Sequence, residues 1–98
     1  MRSQMEMFEM LRALLAGIAR GMGLAEITPE TSIVEELGLD SLKLLELTLA
    51  IETNLALTDF PMQDWYDAEA AKDGARFTVE SLAGACERFR INWSREAS

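Results

Sequence analysis

The fold of this chain is decided by the stretch Glu36-Leu37-Gly38-Leu39-Asp40-Ser41-Leu42, which joins a flexible apolar segment to a leucine-rich helix. Asp40 is a favoured N-cap residue, because its carboxylate can accept a hydrogen bond from the exposed amides of a first helical turn. Gly38 lets the preceding backbone bend sharply. We therefore expect Ser41 at the first helical position, with its hydroxyl in water.

The segment that follows, residues 41–54, contains neither Gly nor Pro and predicts helix two. Its apolar residues form two faces at helical spacing: Leu44, Leu47 and Ile51 on one, and Leu42, Leu45 and Leu49 on the other. Glu46 and Glu52 border the second face. A small domain can hardly bury both faces, so we expect the second to be partly exposed or to line a cavity, as binding surfaces often do. Deep burial of both faces is the alternative.

Three further helices are predicted around helix two. Helix one covers about residues 3–22, and Gly21 and Gly23 supply its stop signal. Its apolar residues recur every three or four positions and comprise Met5, Phe8, Leu11, Leu15, Ile18 and Met22. Residues 24–40 predict a long loop packed across the core, with a short helical turn starting at Thr31-Ser32. Helix three covers residues 62–72 after Pro61, and helix four runs from Thr78 to about residue 92, with Trp93 packing back on the fold and a frayed tail at residues 94–98. The chain is therefore expected to be all-α, in a single domain spanning residues 1–98.

The charge of the chain restricts its partners. The 98 residues carry a formal net charge of −8 with a pI near 4.4, which argues against nucleic acids and anionic membranes. Residues 24–54 contain seven acidic residues and one basic residue, Lys43, so negative charge surrounds Ser41. We expect cationic protein partners, although an ordinary solvated acidic face gives the same pattern.

The single cysteine and the apolar pattern indicate the cellular setting. Cys86 cannot form a disulfide within the chain and is expected to be a small buried hydrophobic residue, as in a reducing compartment. No uninterrupted signal-peptide core is present near the N-terminus, and no apolar run approaches the roughly 18 residues of a membrane span. A cytoplasmic protein is therefore predicted.

The residue types present exclude most catalytic chemistry. The chain has no histidine, which removes the usual base of a serine triad and the commonest metal ligand. The G-x-S-x-G elbow, phosphate-binding loops and metal-binding motifs are also missing, so we predict neither a catalytic residue nor a metal site. A serine hydrolase would have only Ser41 in its favour. Another enzyme could still modify Ser41, because a helix N-terminus stabilises an anion such as a phosphodiester.

Together with the acidic, leucine-rich helix after it, the stretch at residues 36–42 resembles the prosthetic-group attachment motif of acyl carrier proteins. The resemblance extends over nearly the whole chain, including Leu44-Leu45-Glu46-Leu47 and Thr78-Val79-Glu80-Ser81-Leu82. It implies a four-helix acyl-carrier-type bundle with a long loop between helices one and two and a short third helix. It further implies that a phosphopantetheinyl transferase attaches 4′-phosphopantetheine from coenzyme A to Ser41, and that the arm's thiol holds an acyl or aminoacyl group as a thioester.

The same resemblance implies a monomer with a surface for partner recognition. The matching residues are Asp40, Leu42, Leu45, Glu46, Leu49 and Glu52, and the implied partners are the transferase and acyl-loading, condensing or acyltransferase enzymes with basic docking surfaces. Lys43 stands where an acidic residue is frequent, and residues 59–77 are longer than usual. The longer helix-three region resembles that of discrete carriers of polyketide or nonribosomal peptide pathways, or of other specialised assembly systems, more than that of housekeeping fatty-acid carriers. The alternative function is an unmodified helical module that binds a partner through the acidic and apolar face of helix two.

Overall fold

The computed structural model describes residues 2–19, 21 and 23–97, with side chains described for 4–19, 21 and 23–94. Over these residues the chain forms four α-helices and a short 3₁₀ helix: α1 (Arg2–Ile18), the 3₁₀ helix (Leu24–Glu26), α2 (Ser41–Leu55), α3 (Met62–Ala70) and α4 (Val79–Ala97). The described residues contain no strand, only an isolated bridge between Ser32 and Thr78. The predicted all-α bundle, with its long loop and short third helix, is confirmed.

The core lies where the helices meet. Fully buried side chains come from α1 (Leu11, Leu15), α2 (Leu47, Ile51) and α4 (Leu82, Cys86), and α3 adds Trp65. The indole N–H of Trp65 donates to the Ser81 hydroxyl at 3.0 Å, which pairs the one polar atom of that ring and links α3 to α4. Burial of Cys86, which was predicted, raises the pKa of its thiol to about 12.

Helix α1 differs from the prediction in its buried face and its end. Met7 is buried together with Leu11 and Leu15, whereas Met5, predicted to be on the buried face, is 68% exposed. Both arrangements contain Leu11 and Leu15, so only the packing of α1, mainly against α4, decides which flank is covered. The helix ends at Ile18 instead of Met22, which lies outside the described residues, and Gly21 turns the chain with φ +95°.

The loop between α1 and α2 crosses the core as predicted, with Ile27, Ile33 and Leu39 buried. A helical turn begins at Ser32, whose hydroxyl accepts from the Glu35 N–H at 3.0 Å while its own N–H donates to Glu36 Oε1 at 2.7 Å. The loop is also bonded to the start of α4, because the Ile33 N–H donates to the Phe77 carbonyl at 2.8 Å. These bonds satisfy backbone groups that would otherwise be buried without partners.

Helices α3 and α4 begin where predicted but end elsewhere. The Thr78 hydroxyl caps α4 by accepting from the Ser81 N–H at 3.2 Å. α3 ends at Ala70 instead of Lys72, and α4 continues to Ala97, so the predicted helix end near residue 92 and the predicted frayed tail are wrong for residues 93–97. No Gly or Pro follows residue 92, and the Trp93 ring packs on Phe89 one turn earlier, with centroids 6.1 Å apart, as well as on the core. No helix in the described part of the chain is long and apolar enough to cross a membrane.

Candidate functional site

Ser41 is the first residue of α2, and its side chain is exposed. Leu39, two residues earlier, is buried and donates its N–H to the Ile33 carbonyl at 3.2 Å, which anchors the chain to the core. Gly38 precedes it with φ +68°, a conformation that favours glycine. Asp40 is extended, and its Oδ1 accepts from the Lys43 N–H at 2.9 Å. The predicted N-cap and the predicted position of Ser41 are confirmed.

The position of Ser41 suits a bound anion better than catalysis by the serine. Unpaired amides and the aligned peptide dipoles give the start of α2 a partial positive charge, which stabilises a phosphate group there. A nucleophilic serine needs a neighbouring base, and the usual one, histidine, is missing from the sequence. The exposed hydroxyl at this position is accessible from solvent.

A groove of about 720 Å³ lies between α2, α3 and the loop before α2, and Asp40 and Ser41 form part of its wall. Most of the remaining wall is apolar, with Val34, Leu39 and Leu44 on one side and Phe60, Met62 and Tyr66 on the other. Moving an apolar chain from water into such a groove is favourable by about 0.8 kcal/mol per buried methylene. The groove can therefore shelter an apolar group tethered to Ser41.

Sequence reasoning missed the far wall of this groove, which comes from the start of α3. Phe60 and Met62 flank Pro61, and that pattern could have indicated that the start of α3 faces apolar surroundings. Tyr66 also reaches the groove and stacks on Phe77, with ring centroids 4.7 Å apart and an interplanar angle of 27°. These residues are far from Ser41 in sequence, so only the packing of α3 brings them near it.

Phe77 contacts both the α3 wall of the groove and the loop that leads to Ser41. Its φ of +54° is unusual for a bulky residue, and such a conformation persists only where contacts with neighbouring residues hold it in place. Here the Phe77 carbonyl accepts from the Ile33 N–H, and Trp65 meets the Phe77 ring from α3 with centroids 6.1 Å apart. Because the Ile33 carbonyl in turn accepts from Leu39, the two walls of the groove share one hydrogen-bonded support.

The two apolar faces predicted for α2 are confirmed. Leu47 and Ile51 are fully buried, and Leu44 is partly buried against the core. On the other face, Leu42, Leu45 and Leu49 are 71%, 54% and 55% exposed. Deep burial of both faces, the alternative, is wrong. Three exposed leucines on one side of one helix form an apolar patch, and contiguous patches of this kind usually mark a surface that contacts another molecule.

The acidic residues predicted for partner recognition have different environments. Asp40 and Glu46 are exposed, like the three leucines beside them. Glu52 is half-buried, and its Oε2 accepts from the Phe60 N–H at 3.0 Å. The structure thus brings Asp40, Leu42, Leu45, Glu46 and Leu49 to the surface near Ser41, while the carboxylate of Glu52 bonds to the segment before α3.

Negative charge near Ser41 is not neutralised by the ion pairs of the described residues. Those pairs are Arg12 with Glu9, Lys72 with Glu69, and Arg90 with Glu87, which all lie on α1, on α4 or at the end of α3. The acidic groups of the loop and of α2 therefore face solvent or bond to backbone amides. Such a field attracts a positively charged surface and speeds its approach.

Comparison with known proteins agrees with this geometry. Residues 10–70, more than half of the chain, match the family described as "Phosphopantetheine attachment site", whose members carry 4′-phosphopantetheine bound covalently to a serine. The matched range extends from the middle of α1 to the last residue of α3 and includes the whole groove-forming part of the chain. No curated protein gives a significant match to the sequence.

Proposed function

Since this chain belongs to the phosphopantetheine attachment site family, we propose that it is a discrete acyl carrier protein and that Ser41 carries the arm. Carrier domains of this kind are generally non-catalytic and interact with a phosphopantetheinyl transferase and with acyl-handling enzymes. The observation that carries the proposal is the exposed Ser41 at the N-terminus of α2, beside an apolar groove. The arm, when bound, supplies a thiol that holds an acyl or aminoacyl group as a thioester.

Ser41, Asp40 and the groove have the properties that attachment of such an arm requires. In the transferase complex, the Ser41 oxygen bonds to the phosphorus that carries the pantetheine, and the pyrophosphate bond of coenzyme A breaks. The phosphorylated adenosine monophosphate leaves with the bridging oxygen, and the serine proton passes to the transferase. Asp40 holds the start of α2 in place by capping it, and the helix dipole stabilises the attached phosphate. The groove walls then offer an apolar cargo shelter from water.

We propose that partners dock on the exposed side of α2 through Leu42, Leu45 and Leu49, bordered by Asp40 and Glu46. The leucines give apolar contact area, and the acids steer basic surfaces toward Ser41. A tethered cargo also stays at high effective concentration for each enzyme in turn, so individual complexes need not be tight. Nucleic acids do not fit a chain with a net charge of −8.

The finer assignments are also proposals. We propose one carrier domain over residues 1–98, monomeric and cytoplasmic, the last supported by the lone buried cysteine. Lys43 on α2 and the long segment at residues 59–77, which contains α3 and the loop to α4, support a specialised pathway such as polyketide or nonribosomal peptide assembly.

Modification of Ser41 is tested by co-expressing the chain with a broadly active phosphopantetheinyl transferase and measuring the intact mass. We expect the mass of one arm on the wild type and none on Ser41→Ala. Thr53→Ala, which removes another exposed hydroxyl from α2, is the matched control and should still be modified. A wild type without the arm under these conditions, or an arm on Ser41→Ala, would refute the proposal.

An unmodified interaction module remains the second candidate, favoured by the exposed leucines of α2. It predicts that Ser41→Ala keeps both partner binding and biological activity. The carrier predicts that Ser41→Ala keeps its fold and loses activity, because the cargo has no attachment point. Complementation of a deletion strain with Ser41→Ala therefore separates the two functions.

A further inference from the structure

We propose that Glu52 is a positioning residue for the groove, which sets where α3 begins and thus the separation of the groove walls. This inference rests on the proposed function, because the groove is considered as the shelter of a cargo tethered to Ser41. The Glu52 Oε2 accepts a hydrogen bond from the Phe60 N–H at 3.0 Å. That bond links the last turn of α2 to the residue just before Pro61 and α3.

The connector between α2 and α3 is bonded to Glu52 at both ends. At its start, the N–H groups of Ala56, the left-handed C-cap of α2, and of Leu57 donate to the Glu52 carbonyl. At its end, Asp59 next to Phe60 has φ +62°, a left-handed conformation that is unfavourable for a residue with a side chain. Pro61 has no N–H and forms an inverse γ-turn, with φ −81°, ψ 65° and a 2.9 Å bond from the Met62 N–H to the Phe60 carbonyl. Conformations of this kind persist when the surroundings hold them in place.

Phe60 belongs both to this connector and to the wall of the groove. The residue is buried, so its N–H would be costly to leave without a partner if Glu52 were removed. Its ring lines the groove and meets Phe89 of α4 edge-on, with centroids 5.4 Å apart. Met62, the first residue of α3, lines the groove as well. A shift of the Phe60 backbone therefore moves two parts of the same wall.

A positioning role and a partner-recognition role require different properties of the Glu52 side chain. A positioning residue must provide an acceptor oxygen, whereas recognition of a basic surface requires the negative charge. Glu52→Gln keeps an acceptor and loses the charge, and Glu52→Ala loses both. Glu6→Ala is the matched control, because it removes an exposed carboxylate from α1, away from both the connector and the docking surface.

The first experiment measures amide hydrogen exchange at Phe60 by NMR on the unmodified protein, so its result does not depend on Ser41. We expect exchange in Glu52→Ala to be faster by about fivefold, the population change that one hydrogen bond supplies. Exchange in Glu52→Gln and Glu6→Ala should match the wild type, and the Leu82 and Cys86 amides should stay protected in every variant. Equal exchange at Phe60 in the wild type and Glu52→Ala would overturn the proposal.

If Glu52→Ala does not fold, the wild type alone decides the bond. An NMR experiment that detects scalar coupling across hydrogen bonds should connect the Phe60 amide nitrogen with the Glu52 carboxyl carbon, because the carboxylate is the acceptor. A Phe60 amide coupled to a different acceptor would overturn the proposal.

The second experiment loads each variant with an octanoyl-phosphopantetheine arm from octanoyl coenzyme A and measures thioester cleavage by hydroxylamine. We expect cleavage to be about fivefold faster in Glu52→Ala and unchanged in Glu52→Gln and Glu6→Ala. If both Glu52 variants slow loading by the transferase while exchange and cleavage stay at wild-type rates, Glu52 is a recognition residue and the proposal fails. A wild type that takes no arm refutes the proposed function, and the exchange measurement still decides the bond between Glu52 and Phe60.

Discussion

The Oδ1 of Asp40 accepts a hydrogen bond from the backbone N–H of Lys43 at 2.9 Å, and this bond places Ser41 at the first position of α2. The bond occupies one carboxylate oxygen, while the side chain as a whole stays exposed. Asp40 therefore combines a structural role, capping α2, with a charge that a docking partner can meet. The two roles are separable by mutation.

Asp40→Ala should lower the free energy of unfolding by about 1 kcal/mol, because it removes the N-cap of α2. Asp40→Asn keeps an acceptor oxygen and should keep most of that stability, while its missing charge slows modification by a transferase. Urea unfolding followed by circular dichroism measures the first effect, and the rate of arm attachment measures the second. Equal stability of the wild type and Asp40→Ala would show that the cap contributes nothing.

Glu46→Lys should weaken docking much more than folding, because Glu46 is exposed on α2 beside the three leucines. We expect kcat/KM for arm attachment to fall about tenfold at low salt, and less at high salt, since screening weakens charge steering. Glu6→Lys makes the same charge change on α1, where the side chain is also exposed, and should have little effect. A large drop in Tm with unchanged docking would show that Glu46 supports the fold instead.

Gly38→Ala and Gly17→Ala should change stability in opposite directions. An added methyl group would meet no atom within 4 Å at either position, so backbone conformation alone decides the result. Gly38 has φ +68°, and alanine there should cost about 1 kcal/mol. Gly17 lies inside α1, where alanine should add about 0.5–1 kcal/mol. Denaturant unfolding of both variants tests this, and a stabilising Gly38→Ala would contradict it.

Cys86 should make stability fall at alkaline pH. Burial raises the pKa of its thiol from 9.0 to about 12. Above pH 9 the unfolded chain therefore loses a proton that the folded chain keeps, and deprotonation favours the unfolded state. The contribution of the Cys86 thiol to the free energy of unfolding is fully present below pH 9. It is lost as the pH rises toward 12, with a slope of at most about 1.4 kcal/mol per pH unit.

The control for this prediction is Cys86→Ala, which should be less stable at every pH because of the cavity it leaves. Its stability should nevertheless fall less steeply than that of the wild type above pH 9. Parallel unfolding curves for the two proteins across that range would show that the thiol is accessible in the folded state. Slow labelling of the native wild type by a thiol reagent gives an independent measurement.

Features that depend on neighbouring residues were predictable from the sequence. The N-cap of α2, its two apolar faces and the hydroxyl cap of α4 follow from residue type and helical spacing, which act within a few positions of the chain. The ends of α1 and α4 were less predictable. Gly21 lies three residues after the last residue of α1, and the contact between Phe89 and Trp93 supports α4 beyond the predicted end.

Residue type and spacing are enough to predict that Ser41 starts an acidic, leucine-rich helix, because a glycine, an aspartate and an unbroken apolar segment suffice for that local structure. Helix packing, in contrast, selected the flank of α1 that is buried, since Met5 and Met7 both border the pair Leu11 and Leu15. It also decided the groove beside Ser41 and the bond from Phe60 to Glu52, which join residues brought together by packing. Such contacts depend on how helices pack and leave no periodic pattern in the sequence.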